Sequence, residues 1–246
     1  MGGWLDFLIF SVMPKLLAAV PVTLALTFAA GAIGNALALP LALARISPRL
    51  VLRLPAALYI LLLRGTPLLV QIYLIYYGLG QMLPGTWVRH SFLWPYLRDG
   101  FWYAVFALSL NVAAYSGEIL RSALQAVPRG EVEAARALGL SARQILRFVT
   151  LPRALGICLP AMSGELVLLL KSTSLASTIT VMDVLGTAQY IRTQSLHTYE
   201  PLLGAALIYV ALVFLLTRLL NRLERRFSPE KRGGKVPSRH ATSISV

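Results

Sequence analysis

Between Lys15 and Arg45 the chain runs from Leu16 to Ala44 without a charged side chain. A helix that crosses a bilayer core needs about 20 mostly apolar residues, and this run exceeds that. Comparable runs cover roughly 54–80, 101–120, 154–181 and 201–220. Five spans leave too little chain for a large soluble domain, so residues 1–225 read as one all-α integral membrane domain. The 13% charged residues agree, because a soluble domain carries about a quarter. The weak apolar stretch Leu8 to Met13 has no basic residues before it, so no cleaved signal peptide is expected and the first run is taken as a true span.

The net charge of +13 raises the question of nucleic acid, and its distribution answers it. With five spans, residues 45–53, 121–153 and 218–246 fall on one side and hold 17 of the 23 Lys and Arg. The other side holds Lys15, Arg89, Arg98 and Arg192. That asymmetry is what the positive-inside rule predicts for a cytoplasmic face, with the amino terminus outside and the carboxyl terminus inside. The charge reports membrane orientation, and no nucleic-acid partner is expected.

Along the first span Ala30, Gly34, Ala38 and Ala42 recur every four residues, between Pro21 and Pro40. Such a ridge of small residues lets a neighbouring helix approach closely, although membrane helices are rich in Ala and Gly in any case. The second span carries Arg64, Gly65 and Pro67 together, so Arg64 either lies inside the membrane or marks a helix start at the interface. Tyr73, Tyr76 and Tyr77 fit an aromatic belt or a pathway lining. The loop at 81–100, with Pro84, Trp87, Trp94, Pro95 and Tyr96, reads as external, and residues 226–246 have the composition of a disordered basic tail.

One polar segment stands apart, "EVEAARALGLSARQILRFVTLP" at 131–152. Ala135, Leu138, Ala142, Ile145, Leu146 and Val149 form an apolar stripe at helical spacing. Gly139 fits a left-handed helix cap, and Ser141 with Gln144 fits a capping box. The segment predicts two short helices joined at Gly139 and followed by Pro152 before the next span. Taken alone, it suits an amphipathic hairpin resting on lipid headgroups.

Its spacing says more. Glu133-Ala134-Ala135, Gly139 and Leu151-Pro152 resemble the EAA motif of ABC-importer permeases, Glu-Ala-Ala-x3-Gly-x9-Ile-x-Leu-Pro, with Val149 in place of the Ile. "LLRGTPLLVQIY", "AAYSGEILRSALQAVPRGEVEAARALGLS" and "LLLKSTSLASTI" likewise resemble the polar amino-acid permeases of the histidine, glutamine, arginine and opine type. The resemblance implies a type I importer fold with about five spans, a coupling loop over 128–152, and a location in the bacterial inner membrane. It implies docking of the loop on a cytoplasmic ATPase subunit, pairing with a second, homologous or identical permease subunit, and delivery of substrate by a periplasmic binding protein. The chain itself has no Gly-x4-Gly-Lys-Ser/Thr loop, so ATP would be used by the partner and no cofactor is expected here.

Four ionisable residues lie in or near spans: Arg64, Glu118, Glu165 and Lys171. Glu118 and Arg121 share a helix face at i, i+3 and suit a structural or gating pair, as does Arg64. Glu165, near mid-membrane, could meet the cation of a basic amino acid or opine, or a structural partner such as Lys171 of the paired subunit. Asn111 and Ser163 are its candidate polar neighbours. Cys158, the single cysteine, reads as a small buried apolar residue. His90, His197 and His240 fall in loops or the tail, no HExxH, GxSxG or metal cluster occurs, and "GLGQMLPG" lacks a nucleotide fingerprint's spacing. Enzyme activity is therefore not expected. An ion-coupled secondary transporter is the alternative, which would call for an internal repeat or paired broken helices.

Overall fold

A computed structural model describes residues 2–82, 90–92 and 94–227, and every described element is helical. The readings of Pro84, Trp87 and Arg89 in the external loop, and of the tail from residue 228, lie outside the described residues. Helix α1 spans Trp4–Ile46, α2 Leu50–Gly65, α3 Leu68–Gly78 and α4 Gly100–Ala126. Then come α5 Arg129–Ala137, α6 Ala142–Ile179, α7 Val184–Ser195 and α8 Tyr199–Phe227. Four of these, α1, α4, α6 and α8, are long and apolar enough to cross a membrane.

The run at 54–80 is not one straight helix. Between α2 and α3 the axis bends by 108° at Thr66–Pro67. Proline removes a backbone donor and collides with the preceding turn, so the helix stops and restarts. A break at membrane depth needs its freed carbonyls satisfied. Buried Gln71 does this: its Nε2 donates to the carbonyls of Leu63 (2.7 Å) and Thr66 (3.1 Å) and to Thr66 Oγ1 (2.9 Å). A short helical turn, Trp94–Leu97, precedes α4, and Tyr96 packs edge-on against Trp102.

Helices α1 and α4 form the spine. Ala30, Gly34, Ala38 and Ala42 are all buried on their contact face. A Cβ at Gly34 would sit 2.6 Å from Val112 Cβ and 2.9 Å from the Ser109 carbonyl, so only glycine permits this approach. At the basic end, Ala42, Leu124, Ala154 and Cys158 join α1, α4 and α6 in one apolar cluster. At the opposite end, Leu16, Val184, Ile191 and Ala205 join α1, α7 and α8.

That opposite end is pinned by Asp183, fully buried at the N-cap of α7. It accepts the Gly186 N–H and the Tyr209 hydroxyl, each at 2.8 Å, while Val184 N–H donates to Thr23 Oγ1. Burial raises the Asp183 carboxyl above the ordinary aspartate range, and those hydrogen bonds only partly offset it.

Candidate functional site

Two sites emerge, one at the basic end and one inside the helical layer. At the basic end, α5 finishes in a Schellman arrangement: Leu140 N–H donates to the Ala135 carbonyl and Gly139 N–H to that of Arg136. Gly139 has φ of +78°, a conformation that favours glycine. Gln144 returns its side chain to the Ser141 N–H at 2.9 Å and starts α6. Glu131 reaches Arg153 Nε at 3.2 Å, which ties α5 to the root of α6.

The segment differs from two short helices in one respect. Its second half is the beginning of α6, which continues as a single 38-residue helix. A π-helical stretch, Leu146–Thr150, leads directly into Leu151–Pro152. The wider π turn precedes Pro152 and accommodates its missing N–H, and the helix also continues through Pro160.

The stripe also divides. Ala135 and Ile145 are buried, whereas Leu138 is 80% exposed and Ala142 is exposed too. Ala135 is therefore small because it packs against this chain. Glu133, Ala134, Leu138, Gly139 and Pro152 face outward, and Leu151 is half-buried against the basic-end cluster. Phe148, 64% exposed, extends this outward surface.

Inside the layer, two open cavities meet. One, of about 430 Å³, is lined by Arg64, Tyr115, Glu118, Ser122, Cys158 and Glu165 among others. The second, of about 330 Å³, is lined by Thr66, Asn111, Tyr115, Glu165, Leu168 and Ser172 among others. Tyr115 and Glu165 belong to both walls. Both volumes fall in the range of small-molecule sites.

The guanidinium of Arg64 lies over the Tyr115 ring, 5.0 Å from its centroid. It stands near the C-terminal end of α2, about 20 Å along the helix from Leu50 at about 1.5 Å per residue, just before the break at Thr66–Pro67. Glu118 accepts from Arg121 (2.8 Å to Nε) and faces Arg45 Nε at 3.8 Å, a partner 73 positions away that no local spacing reveals. Asn111 Nδ2 donates to Gln71 Oε1 at 3.1 Å, so its amide is anchored to the α2–α3 break. Gln71 was outside the sequence candidates, and its signal was one amide within the apolar run "PLLVQIYL".

Two candidates lie elsewhere. Ser163 is buried and lines neither cavity. Lys171 is exposed on another face of α6, beside Tyr209, Val210 and Phe214 of α8. The structure brings Glu165 together with Arg64, Glu118 and Asn111, and separates it from Lys171.

Residues 34–229 match the family of binding-protein-dependent transport system inner membrane components. The chain belongs to this family. It is 47% identical over 221 residues to the octopine transport system permease protein of Rhizobium radiobacter, covering 90% of this chain and 89% of that one. The nopaline transport system permease of Agrobacterium fabrum is 41% identical, covering 94% and 96%. The histidine/lysine/arginine/ornithine permease of Salmonella typhimurium is 40% identical, covering 85% and 88%. Among solved structures, an amino acid ABC transporter with histidines superposes with a TM-score of 0.78 at 34% identity, covering 92% of this chain and 99% of that one. The chain is thus a membrane-spanning permease subunit of an ABC-type importer, in which a separate ATPase hydrolyses ATP.

Proposed function

We propose that this subunit forms the pathway for a cationic amino acid or an arginine-derived opine, and that α5 with the start of α6 is its docking handle for the ATPase. The observation that carries the reading is that one helix, α6, bears both the outward-facing handle and Glu165 in the cavity wall. Glu165 makes no ion pair among the described residues, so its carboxylate is open to a cation from outside the chain. The relatives named above for octopine, nopaline and basic amino acids support that substrate class.

In this reading the basic end is cytoplasmic by the positive-inside rule, and the amino terminus is periplasmic in the bacterial inner membrane. Glu133, Ala134 and Gly139 meet the ATPase, Ala135 and Leu151 hold the handle against the spans, and Pro152 carries the handle into α6. Glu118 with Arg121 and Arg45 braces the inner cavity. A periplasmic binding protein delivers substrate, a second permease subunit completes the open side of the cavities, and the apolar outer face of α8 meets lipid. No cofactor is held by this chain.

The test is purification from gently solubilised membranes, followed by reconstitution with whatever ATPase co-purifies. Uptake of arginine or an opine that requires ATP and the binding protein is the expected result. Uptake driven by an ion gradient with no ATPase present would overturn the reading and favour a secondary transporter.

A further inference from the structure

We propose that Arg64 binds a carboxylate of the substrate, so that the cavity reads both ends of a zwitterion. The inference rests on the reading of Glu165 as the residue that meets the substrate's cation. Arg64 is the sole cation among the lining residues of the two joined cavities. It has no carboxylate within ion-pair distance among the described residues, and its one close partner is the face of Tyr115.

Arg64 is exposed beside the break of the α2–α3 pair, which only together is apolar enough to cross a membrane, and an arginine within such a span is costly unless something pairs with it. The other arginines near this layer are spoken for: Arg121 and Arg45 both converge on Glu118. Arg64 alone keeps its donor fork free, because an aromatic face engages the plane of a guanidinium and leaves its N–H edges open. That fork matches a carboxylate in a bidentate way. Thr66 and Pro67 follow it directly, and Gln71 clamps that backbone, so the base of the side chain is held at a fixed point. Glu165 and Tyr115, shared by both cavities, mark where the remainder of the ligand would lie.

The arrangement is amphoteric: Arg64 for a carboxylate, Glu165 for a guanidinium or ammonium, and Tyr115 as a flat wall between them. An amino acid and an opine share both required groups. A diamine or a guanidine without a carboxylate would satisfy only half of the site.

The experiment measures equilibrium binding of labelled L-arginine and of agmatine, its decarboxylated counterpart, to the purified permease–ATPase complex without binding protein. The wild type is expected to prefer arginine by roughly 10- to 100-fold, the contribution of a charge-assisted hydrogen-bond pair. Arg64→Gln should bring that ratio close to one while agmatine binding stays as it was. Arg64→Lys should restore part of the preference. A merely structural role for Arg64 would weaken both ligands together, and that result, or an unchanged ratio, overturns the proposal. Glu165→Gln provides the separate control: it should weaken both arginine and agmatine. If it weakens neither, or if the wild-type complex binds neither, the reading of Glu165 fails and the Arg64 assignment falls with it.

Discussion

Substituting Gly139 separates what this chain requires from what its partner requires. The residue has φ of +78°, and a Cβ built there meets no heavy atom within 4 Å. Any L side chain thus suffers left-handed backbone strain of roughly 1–2 kcal/mol and no clash inside the subunit. Gly139→Ala and Gly139→Arg share that strain, because both add the same Cβ, and the longer Arg side chain extends into open space. The isolated variants should therefore show matching thermal stability in detergent. Once an ATPase covers the handle the two must diverge. If the strain is carried wholly by the docked state, Gly139→Ala lowers uptake by up to a factor of about 5–30. Gly139→Arg inserts a long cation between two protein surfaces, and it should retain no stoichiometric ATPase and show no uptake. Gly139→Asn, which tolerates the left-handed region, should be the mildest of the three. Equal ATPase retention and equal uptake by the Ala and Arg variants would refute the reasoning, since they would show that nothing docks at Gly139.

The spine and the opposite end supply two further tests. Gly34→Val places its Cβ 2.6 Å from Val112 Cβ and forces α1 and α4 apart, so it should lower the thermal midpoint by an overpacking cost of about 1–3 kcal/mol; an unchanged midpoint would show that the helices separate freely. Asp183 has a folded-state pKa raised by burial, so between the ordinary aspartate value of about 3.9 and that raised value the folded chain binds more protons than the unfolded one. Stability should decline as pH rises through this window in the wild type, with the slope absent in Asp183→Asn; identical slopes in thermal melts of the two proteins would exclude Asp183 as the source.

Much of this architecture could be read from residue order because it depends on local rules. The small ridge of α1 becomes the buried face against α4, and Gly139, Ser141 and Gln144 adopt the turn and cap chemistry that their types favour. What could not be read depends on distant partners. Gln71 has meaning only once Pro67 has broken the helix and left carbonyls to satisfy. The stripe through Ala135 and Leu138 looked continuous, yet the helix ends at Ala137, and Leu138 is turned outward at its cap. Glu165 and Lys171, six residues apart on one helix, had to occupy different faces, but helical spacing cannot say which face borders a cavity. The Arg45–Glu118 approach joins two helices whose order along the chain gives no hint of it.

With the docking role proposed for α5 and the start of α6, the continuity of α6 through Pro152 would make it a lever with the load and the effort on one beam. From Ile145, seated at the handle, to Glu165 in the cavity wall is twenty residues, or about 30 Å of helix at about 1.5 Å each. A rocking of the beam by about 10° about the buried Ile145 would swing the Glu165 carboxylate by about 5 Å, on the same helical rise. That displacement matches the width of a hydrated side chain, so a modest tilt imposed at one end can offer or withdraw the charge at the other without any helix melting. A flexible joint at Pro152 would have absorbed the stroke.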